Sequence, residues 1–290
     1  MAKISEKAVQ MPASAIRKLV PFADAAKKQG VKVYHLNLGQ PDIKSPVCAL
    51  DAVRNYSLEN VSYSHSAGLM ELRKGLVEKY YRKIGIDLTV DELIVTVAGS
   101  ESVNLALEIT CNPGDEVIVL EPFYTNYNTF AFMNGLTLKA IPTDIRNGFQ
   151  IPPIEEFEKA ITDKTKAILV CNPGNPTGTQ YSKESMLALG EIARKHDLFL
   201  LSDEVYREFC YTDEPHFSAM NIPGLEQNVV LIDSVSKRYN LCGARVGCIV
   251  SHNKDVMTAA MKFAQARLCP PVLGQMAAIG ALDTPDEYFE

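Results

Sequence analysis

Lys237 combines a reactive side chain with neighbours that could hold a phosphate. It follows the apolar run 229–233 and two serines, Ser234 and Ser236. An ionised lysine beside a buried strand is costly unless it is neutralised or used in chemistry, and its amine can form an imine with a carbonyl compound. Serine hydroxyls and the guanidinium of Arg245 suit a phosphate. The segment therefore predicts a lysine nucleophile beside a phosphate, although taken alone it fits a surface loop equally well.

Asp203 lies directly after another apolar run, 198–202. Open α/β sheets bind their ligands at the carboxyl ends of the parallel strands, so the spacing puts this carboxylate where a ligand would be. An aspartate after a strand is also a common helix N-cap, and that interpretation stays open from the residues alone.

Two further segments follow apolar runs in the same way. Segment 172–178 contains two prolines and two glycines, which fix an irregular turn that could aim the side chain of Asn175. A rigid connector without a ligand is the alternative. Segment 97–101 precedes a predicted helix, whose first backbone N–H groups and dipole favour a phosphate. Ser100 could instead cap that helix.

The elements that must hold these residues alternate between short apolar runs and helical patterns from about Leu93 onward. Such alternation is typical of a mostly parallel sheet covered by helices. The predicted strands are 94–97, 116–120, 166–171, 198–202, 229–233 and 246–251, and the predicted helices include 102–110, 183–195 and 272–282. Upstream, we predict a helix over 13–28 and a short strand over 33–38.

Composition and charge exclude several classes of function. The chain has 290 residues, 47% of them hydrophobic, and a formal net charge of -6, which fits one large core plus a smaller accessory piece. Binding to nucleic acid or to an anionic membrane needs a clustered basic surface, and the sequence has no such cluster. It also shows no signal peptide and no apolar stretch long enough to span a membrane. Seven cysteines without CxxC pairing indicate reduced thiols. We expect a cytoplasmic protein without a nucleic-acid or membrane partner, and without a metal, because the five histidines lack metal-ligand spacing.

The segment 234–247 resembles, position by position, the lysine signature of the class I pyridoxal-phosphate-dependent aminotransferases. It reads Ser, one residue, Ser-Lys, seven residues, Arg and then Val-Gly. Five more motifs follow in that family's order: Asn-Leu-Gly-Gln-Pro-Asp at 37–42, Tyr-x4-Gly-x3-Leu-Arg at 63–73, Ala-Gly-Ser at 98–100, the turn at 172–178 and Asp-Glu-Val-Tyr at 203–206. The resemblance, to fold type I enzymes of the aspartate-aminotransferase kind, covers nearly the whole chain.

The resemblance implies pyridoxal 5'-phosphate as the cofactor and gives roles to the residues above. Lys237 would form the Schiff base with it. Asp203 would pair with the pyridinium nitrogen and keep the ring protonated, so that the ring can accept electrons. Tyr206 would hydrogen-bond the phenolic oxygen of the cofactor, unless it is an ordinary core or rim tyrosine. Asn175 would reach the same oxygen and the substrate carboxylate.

The family also implies a phosphate cup and a second subunit. Backbone N–H groups of Gly99, Ser100 and Glu101 would form one part of the cup, with the Glu101 side chain pointing away. The side chains of Ser234, Ser236 and Arg245 would form the other part. Tyr124 would stack on the cofactor ring, with core packing as the alternative, and Gly39 would lie against the substrate. Tyr63 would reach the cofactor phosphate of a second subunit, which implies a homodimer.

The fold implied is an α/β large domain with a mostly parallel, seven-stranded-type sheet sandwiched by helices. We expect residues 1–44 to form an N-terminal arm and the start of a small domain, residues 45–290 to form the cofactor-binding domain, and the C-terminal small domain to be absent. Family members carry near the C-terminus an arginine that binds the substrate α-carboxylate, and this sequence ends before that position. We therefore expect a dimer that binds cofactor but turns over amino acids poorly.

The predicted function is transfer of an amino group between an L-amino acid, with an aspartate-like one favoured, and a 2-oxo acid by a ping-pong mechanism. Cofactor contacts alone do not decide which bond breaks. A carbon-sulfur lyase or decarboxylase-like relative of the same fold therefore stays open, as does a truncated cofactor-binding protein without turnover. The motif at 37–42 favours the aminotransferase.

Overall fold

A seven-stranded sheet forms the centre of the computed structural model, which describes residues 2–37, 39–57 and 59–289. The strands are β1 (Leu93–Thr96), β2 (Glu116–Glu121), β3 (Thr137–Pro142), β4 (Thr165–Cys171), β5 (Phe199–Asp203), β6 (Val229–Ser234) and β7 (Gly247–Val250). In the order β1-β7-β6-β5-β4-β2-β3, β7 is antiparallel to both neighbours and the other pairs are parallel. The predicted mostly parallel sheet with flanking helices is confirmed.

The helices lie before the first strand, between the strands and after the last strand. They are α1 (Glu6–Gln10), α2 (Val20–Lys28), α3 (Val47–Arg54), α4 (Met70–Gly75), α5 (Ala98–Thr110), α6 (Asn126–Asn134), α7 (Ile154–Ala160), α8 (Lys183–Lys195), α9 (Val235–Arg238), α10 (Lys254–Arg267) and α11 (Val272–Ala281). A π-helical turn, Leu76–Tyr81, continues α4, and short 3-10 helices include Arg17–Leu19 and Cys242–Ala244. Within the described ranges, none of these helices is both long enough and apolar enough to span a membrane.

Both faces of the sheet are covered, which explains why its central strands are continuous apolar runs. Side chains alternate between the faces of a strand. In β4, Ile168 and Val170 pack into a core with α7, α8 and α11, whereas Ala167 and Leu169 pack into a second core with α5, α6 and α10. The sheet is therefore held between two apolar layers, and its polar strand ends are left at the rim.

The predictions for the N-terminal segment are partly wrong. The helix predicted over 13–28 begins at Val20, preceded by the 3-10 turn, because Pro21 is tolerated in the first turn of a helix but not in its interior. The strand predicted over 33–38 is absent over 33–37, where Leu36 is 95% exposed, and Leu38 lies outside the described residues. A short, partly apolar segment without a neighbouring strand does not form sheet.

Strand β3 was not predicted, and its position explains why. It pairs with β2 at the edge of the sheet, and of its six residues Ile141 is the buried one. An edge strand of this kind has no continuous apolar run. Gly135, in the left-handed conformation with φ 68°, ends α6 just before it, as glycine commonly does after a helix.

Candidate active site

Four strands end at the same edge of the sheet and bring the predicted residues together. Because β7 is antiparallel to both β1 and β6, β1 runs in the same direction as β4, β5 and β6. Their carboxyl ends surround a cavity of about 580 Å³. The cavity is lined by eleven of the thirteen predicted site residues, namely Gly39, Gly99, Ser100, Tyr124, Asn175, Asp203, Tyr206, Ser234, Ser236, Lys237 and Arg245. Glu101 and Tyr63 are not among its lining residues.

Lys237 lies on the short helix α9, directly after β6. Ser234, the last residue of β6, caps this helix by accepting a hydrogen bond from the backbone N–H of Ser236. The half-buried Lys237 Nζ donates to the carbonyl oxygen of Gly39 at 2.6 Å and lies 5.9 Å from the centre of the Tyr206 ring. The amine is thus held in the cavity by the segment before the sheet.

A buried ion-pair cluster anchors the backbone that carries Lys237. The next residue, Arg238, has a side chain only 1% exposed and donates to Asp233 at 2.7 Å and to Glu208 at 2.7 Å. Its guanidinium also lies 3.6 Å from the centre of the Tyr80 ring. Burial acts to raise the pKa of Asp233, but the facing guanidinium of Arg238 holds that pKa below its usual value. The cluster therefore keeps opposite charges paired beneath the cavity floor.

Asp203 is a buried carboxylate without a cationic partner among the residues that the structure describes. Its two oxygens accept hydrogen bonds from the Tyr127 hydroxyl at 2.7 Å and from the Val205 backbone N–H at 3.3 Å. Burial raises the pKa of Asp203 to about 6. The chain turns after this residue rather than starting a helix, so the N-cap interpretation is wrong. A protonated ring nitrogen would supply the missing cationic donor.

The turn 172–178 holds Asn175 against Tyr206. Gly174 and Thr179 are joined by a backbone hydrogen bond of 2.8 Å, and the Asn172 side chain accepts from the backbone of Tyr181 at 3.0 Å. Asn175 Nδ2 donates to the Tyr206 hydroxyl at 3.1 Å. Burial raises the pKa of Tyr206 above its usual value, which keeps this hydroxyl protonated and able to donate to an acceptor in the cavity.

The first turn of α5 and the serines of β6 and α9 form an anion-binding wall. Backbone N–H groups at the start of a helix are unpaired and favour negative charge, and Gly99 and Ser100 occupy that turn. Ser234 Oγ and Ser236 Oγ lie 2.7 Å apart beside it. Arg245, in the left-handed conformation with φ 54°, adds a guanidinium at the same cavity. This donor set fits a phosphate.

The side chain of Glu101 is directed away from the cavity. It accepts a hydrogen bond from the Val97 backbone and pairs with Arg267, whose Nε lies 3.1 Å from its oxygen. Only its backbone N–H is therefore left for a ligand at this turn. Ser100 makes no side-chain cap on α5, so the alternative that it caps the helix is wrong.

Tyr124 lines the cavity beside Tyr127, which was not predicted as a site residue. Tyr127 is 1% exposed, its ring meets that of Tyr124 edge-on at 5.5 Å, and its hydroxyl orients Asp203. Its spacing of three residues from Tyr124 would have been a usable signal, because a single turn brings such residues together, and here the Tyr127 N–H donates to the Tyr124 carbonyl at 2.9 Å. Ten residues that line the cavity were not predicted for the site, among them Arg17, Asn126 and Cys242.

Together these groups fit pyridoxal 5'-phosphate. A lysine amine, an unpaired buried carboxylate, an aromatic wall and a phosphate-binding wall meet in one cavity. Each matches one part of the cofactor: the aldehyde, the ring nitrogen, the ring face and the phosphate. The individual contacts stay predictions.

Comparison with known proteins agrees with this assignment. The profile of the family described as aminotransferase class I and II matches residues 31–290. The chain is 35% identical to the Bacillus subtilis protein named "Putative aminotransferase YugH", over 99% of this chain and 73% of that protein. It is 32% identical to the aspartate aminotransferase of Thermotoga maritima, over 99% of this chain and 76% of that enzyme. A solved structure of alanine aminotransferase from Pyrococcus furiosus superposes with a TM-score of 0.90 at 33% identity, covering 99% of this chain and 74% of that one.

Proposed function

The chain belongs to the class I and II aminotransferases, and we propose that it moves an amino group between an L-amino acid, with an aspartate-like one favoured, and a 2-oxo acid in a ping-pong cycle. The observation that carries the proposal is that one cavity holds both the amine of Lys237 and the carboxylate of Asp203, which has no cationic partner among the described residues. A lysine nucleophile and an electron sink are the two requirements of this chemistry.

Pyridoxal 5'-phosphate, when bound, supplies an aldehyde for the lysine amine and a protonated ring that withdraws electrons from the substrate Cα. Lys237 Nζ would hold the cofactor, and once an amino acid had taken its place, the freed amine would accept the proton from the substrate Cα. Its hydrogen bond to the Gly39 carbonyl keeps the amine oriented in the cavity.

The other residues bind and orient. Asp203 would hold a proton on the ring nitrogen, and Tyr127 keeps that carboxylate in place through its 2.7 Å hydrogen bond. Tyr206 and Asn175 share a hydrogen bond and would both turn donors towards the phenolic oxygen. The anion-binding wall with Arg245 would hold the phosphate, and Tyr124 would cover one face of the ring.

Single-turnover spectroscopy tests the proposal. The cofactor-loaded chain, mixed with L-aspartate, is expected to lose the absorbance of the lysine-bound cofactor and to release one 2-oxo acid per site, and 2-oxoglutarate should restore the absorbance. Lys237→Ala should abolish the change, whereas Lys254→Ala, at the start of α10, should behave as the unchanged chain. Release of sulfide, ammonia or carbon dioxide instead of a 2-oxo acid would reject transamination.

We also propose a cytoplasmic homodimer in which Tyr63 contacts the partner's cofactor phosphate. Tyr63 is 80% exposed, and apolar side chains of the N-terminal segment, such as Phe22 at 74% exposed, need a covering surface. All seven cysteines are free thiols, in keeping with a reducing compartment. Light scattering should give twice the chain mass, and Tyr63→Phe should weaken cofactor retention. A monomer with tight cofactor binding would remove Tyr63 from the site.

A further inference from the structure

Arg17 is a cation of the cavity that the cofactor does not account for. Four charged side chains line the cavity: Arg17, Asp203, Lys237 and Arg245. In the proposed function, Asp203 neutralises the ring nitrogen, Arg245 faces the phosphate, and Lys237 is consumed as the covalent link. No part of the cofactor is assigned to the guanidinium of Arg17 in that function.

The protein itself also leaves this guanidinium unpaired. Across residues 2–37, 39–57 and 59–289, no carboxylate lies within 4 Å of Arg17, although its backbone is fixed by a hydrogen bond from its N–H to Ser14 Oγ at 3.2 Å. Its exposed side chain comes from the 3-10 turn Arg17–Leu19, before the sheet. Its exposed guanidinium is therefore available to an anion that a ligand brings into the cavity.

The groups that would hold the α-carboxylate belong to segments of the chain other than that of Arg17. Asn175, Tyr206 and Gly39 form one side of the cavity, joined by the Asn175 hydrogen bond and by the close approach of Gly39 to the Tyr206 hydroxyl. Burial raises the pKa of the Tyr124 hydroxyl, and the positive charges of Arg245 and Arg17 oppose that rise.

We propose that Arg17 is a specificity-determining residue that binds the side-chain carboxylate of a dicarboxylic amino acid or 2-oxo acid. The inference rests on the proposed function, since it needs the cofactor in place and the α-carboxylate on the Asn175 side. It gives a physical reason for preferring an acidic substrate over an apolar one: a guanidinium binds a carboxylate through charge-assisted hydrogen bonds, whereas an apolar side chain would leave it unpaired.

Binding of two small acids to the cofactor-loaded chain tests the assignment. Succinate carries two carboxylates, and butyrate has the same number of carbons with one. Each is titrated calorimetrically into the 290-residue chain and into Arg17→Gln, Arg17→Lys and Lys18→Gln. Lys18 is the matched control, because it is the next residue, is exposed, and does not line the cavity.

The unchanged chain is expected to bind succinate more tightly than butyrate. Arg17→Gln should lower succinate affinity about tenfold, as expected for loss of one charge-assisted contact, and leave the affinities for butyrate and cofactor unchanged. Arg17→Lys should keep most of the preference, and Lys18→Gln should keep all of it. Since Arg17 is exposed, its substitution should not affect folding.

Three results would overturn the assignment. The first is no preference for succinate in the unchanged chain, including no measurable binding. The second is an equal fall in the affinities for succinate and for butyrate in Arg17→Gln. The third is a fall in cofactor affinity in Arg17→Gln, which would make Arg17 a phosphate ligand. Failure of the proposed function looks different, because the cofactor would then not attach to Lys237 in any of these proteins.

Discussion

Replacing Asp203 by asparagine should stabilise the cofactor-free chain, although the residue is central to the proposed chemistry. Burial raises the pKa of this carboxyl to about 6 from an ordinary 3.8. A carboxyl with a raised pKa in the folded state contributes stability that is fully present below pH 3.8 and is lost as the pH rises through 6. Asparagine resembles the protonated carboxyl in shape and does not ionise.

The magnitude follows from the size of the shift. About two pKa units, at about 1.36 kcal/mol each, make an ionised Asp203 cost about 3 kcal/mol at pH 8 and about half of that at pH 5. Asparagine can keep its oxygen on the Val205 N–H while the Tyr127 hydroxyl rotates to accept from the new amide. Asp203→Asn should therefore raise the unfolding free energy, and the gain should grow by about 1.5 kcal/mol between pH 5 and pH 8.

Asp233→Asn is the matched control, with the opposite sign expected. Both aspartates are buried near the ends of adjacent strands, but Asp233 is paired with Arg238 and its pKa lies below the usual value. Its loss breaks the buried Asp233–Arg238 pair and leaves the guanidinium facing Glu208, and breaking a buried pair typically costs about 3–5 kcal/mol. Urea unfolding of the cofactor-free proteins, repeated between pH 5 and pH 8, measures both effects. A destabilised Asp203→Asn, or a gain that does not change with pH, would refute the reasoning.

Three further changes test the walls of the cavity. Arg245→Ala should weaken cofactor binding about 10- to 100-fold by removing a contact worth roughly 1.5–3 kcal/mol, and unchanged affinity in equilibrium dialysis would place Arg245 elsewhere. Gly247→Ala should destabilise the chain by about 1–3 kcal/mol, because its Cβ would lie 2.6–2.7 Å from backbone atoms of the first turn of α5 and of β6. A Cβ added at Gly243 would meet no atom within 4 Å, so Gly243→Ala should leave stability unchanged. Thermal melts compare the two variants, and an equal loss of stability in both would contradict the packing argument. Cys242 lines the cavity, so cofactor should slow its alkylation by iodoacetamide while leaving the half-buried Cys269 unchanged, and equal rates at Cys242 with and without cofactor would remove it from the site.

The residues predicted best from sequence are those whose function is encoded locally. Lys237, Ser234 and Ser236 lie within four residues at the end of one strand, so a single turn of chain fixes their relative positions. Asp203 and Asn175 follow buried strands that parallel pairing brings to one edge. The alternation of apolar runs with helical patterns is enough to indicate such pairing from the sequence alone.

The residues that sequence reasoning did not assign to the site reach it through tertiary packing. Arg17 comes from a segment in which no described residue up to Asn37 is buried, and nothing in its neighbours indicates that it turns towards the sheet. Tyr127 orients Asp203 across 76 residues of chain. The strand predicted over 33–38 failed for a related reason, because strand propensity depends on a neighbouring strand that the local sequence does not specify.

Reduction of the cofactor-loaded chain with borohydride, followed by peptide mapping, tests the central claim most directly. A C=N bond between a lysine amine and the cofactor aldehyde is converted into a stable amine, so the label stays on the residue that held the cofactor. We expect the label on the peptide that contains Lys237, and no label when Lys237 is replaced by alanine. A label on any other lysine, or none in the presence of excess cofactor, would contradict the account.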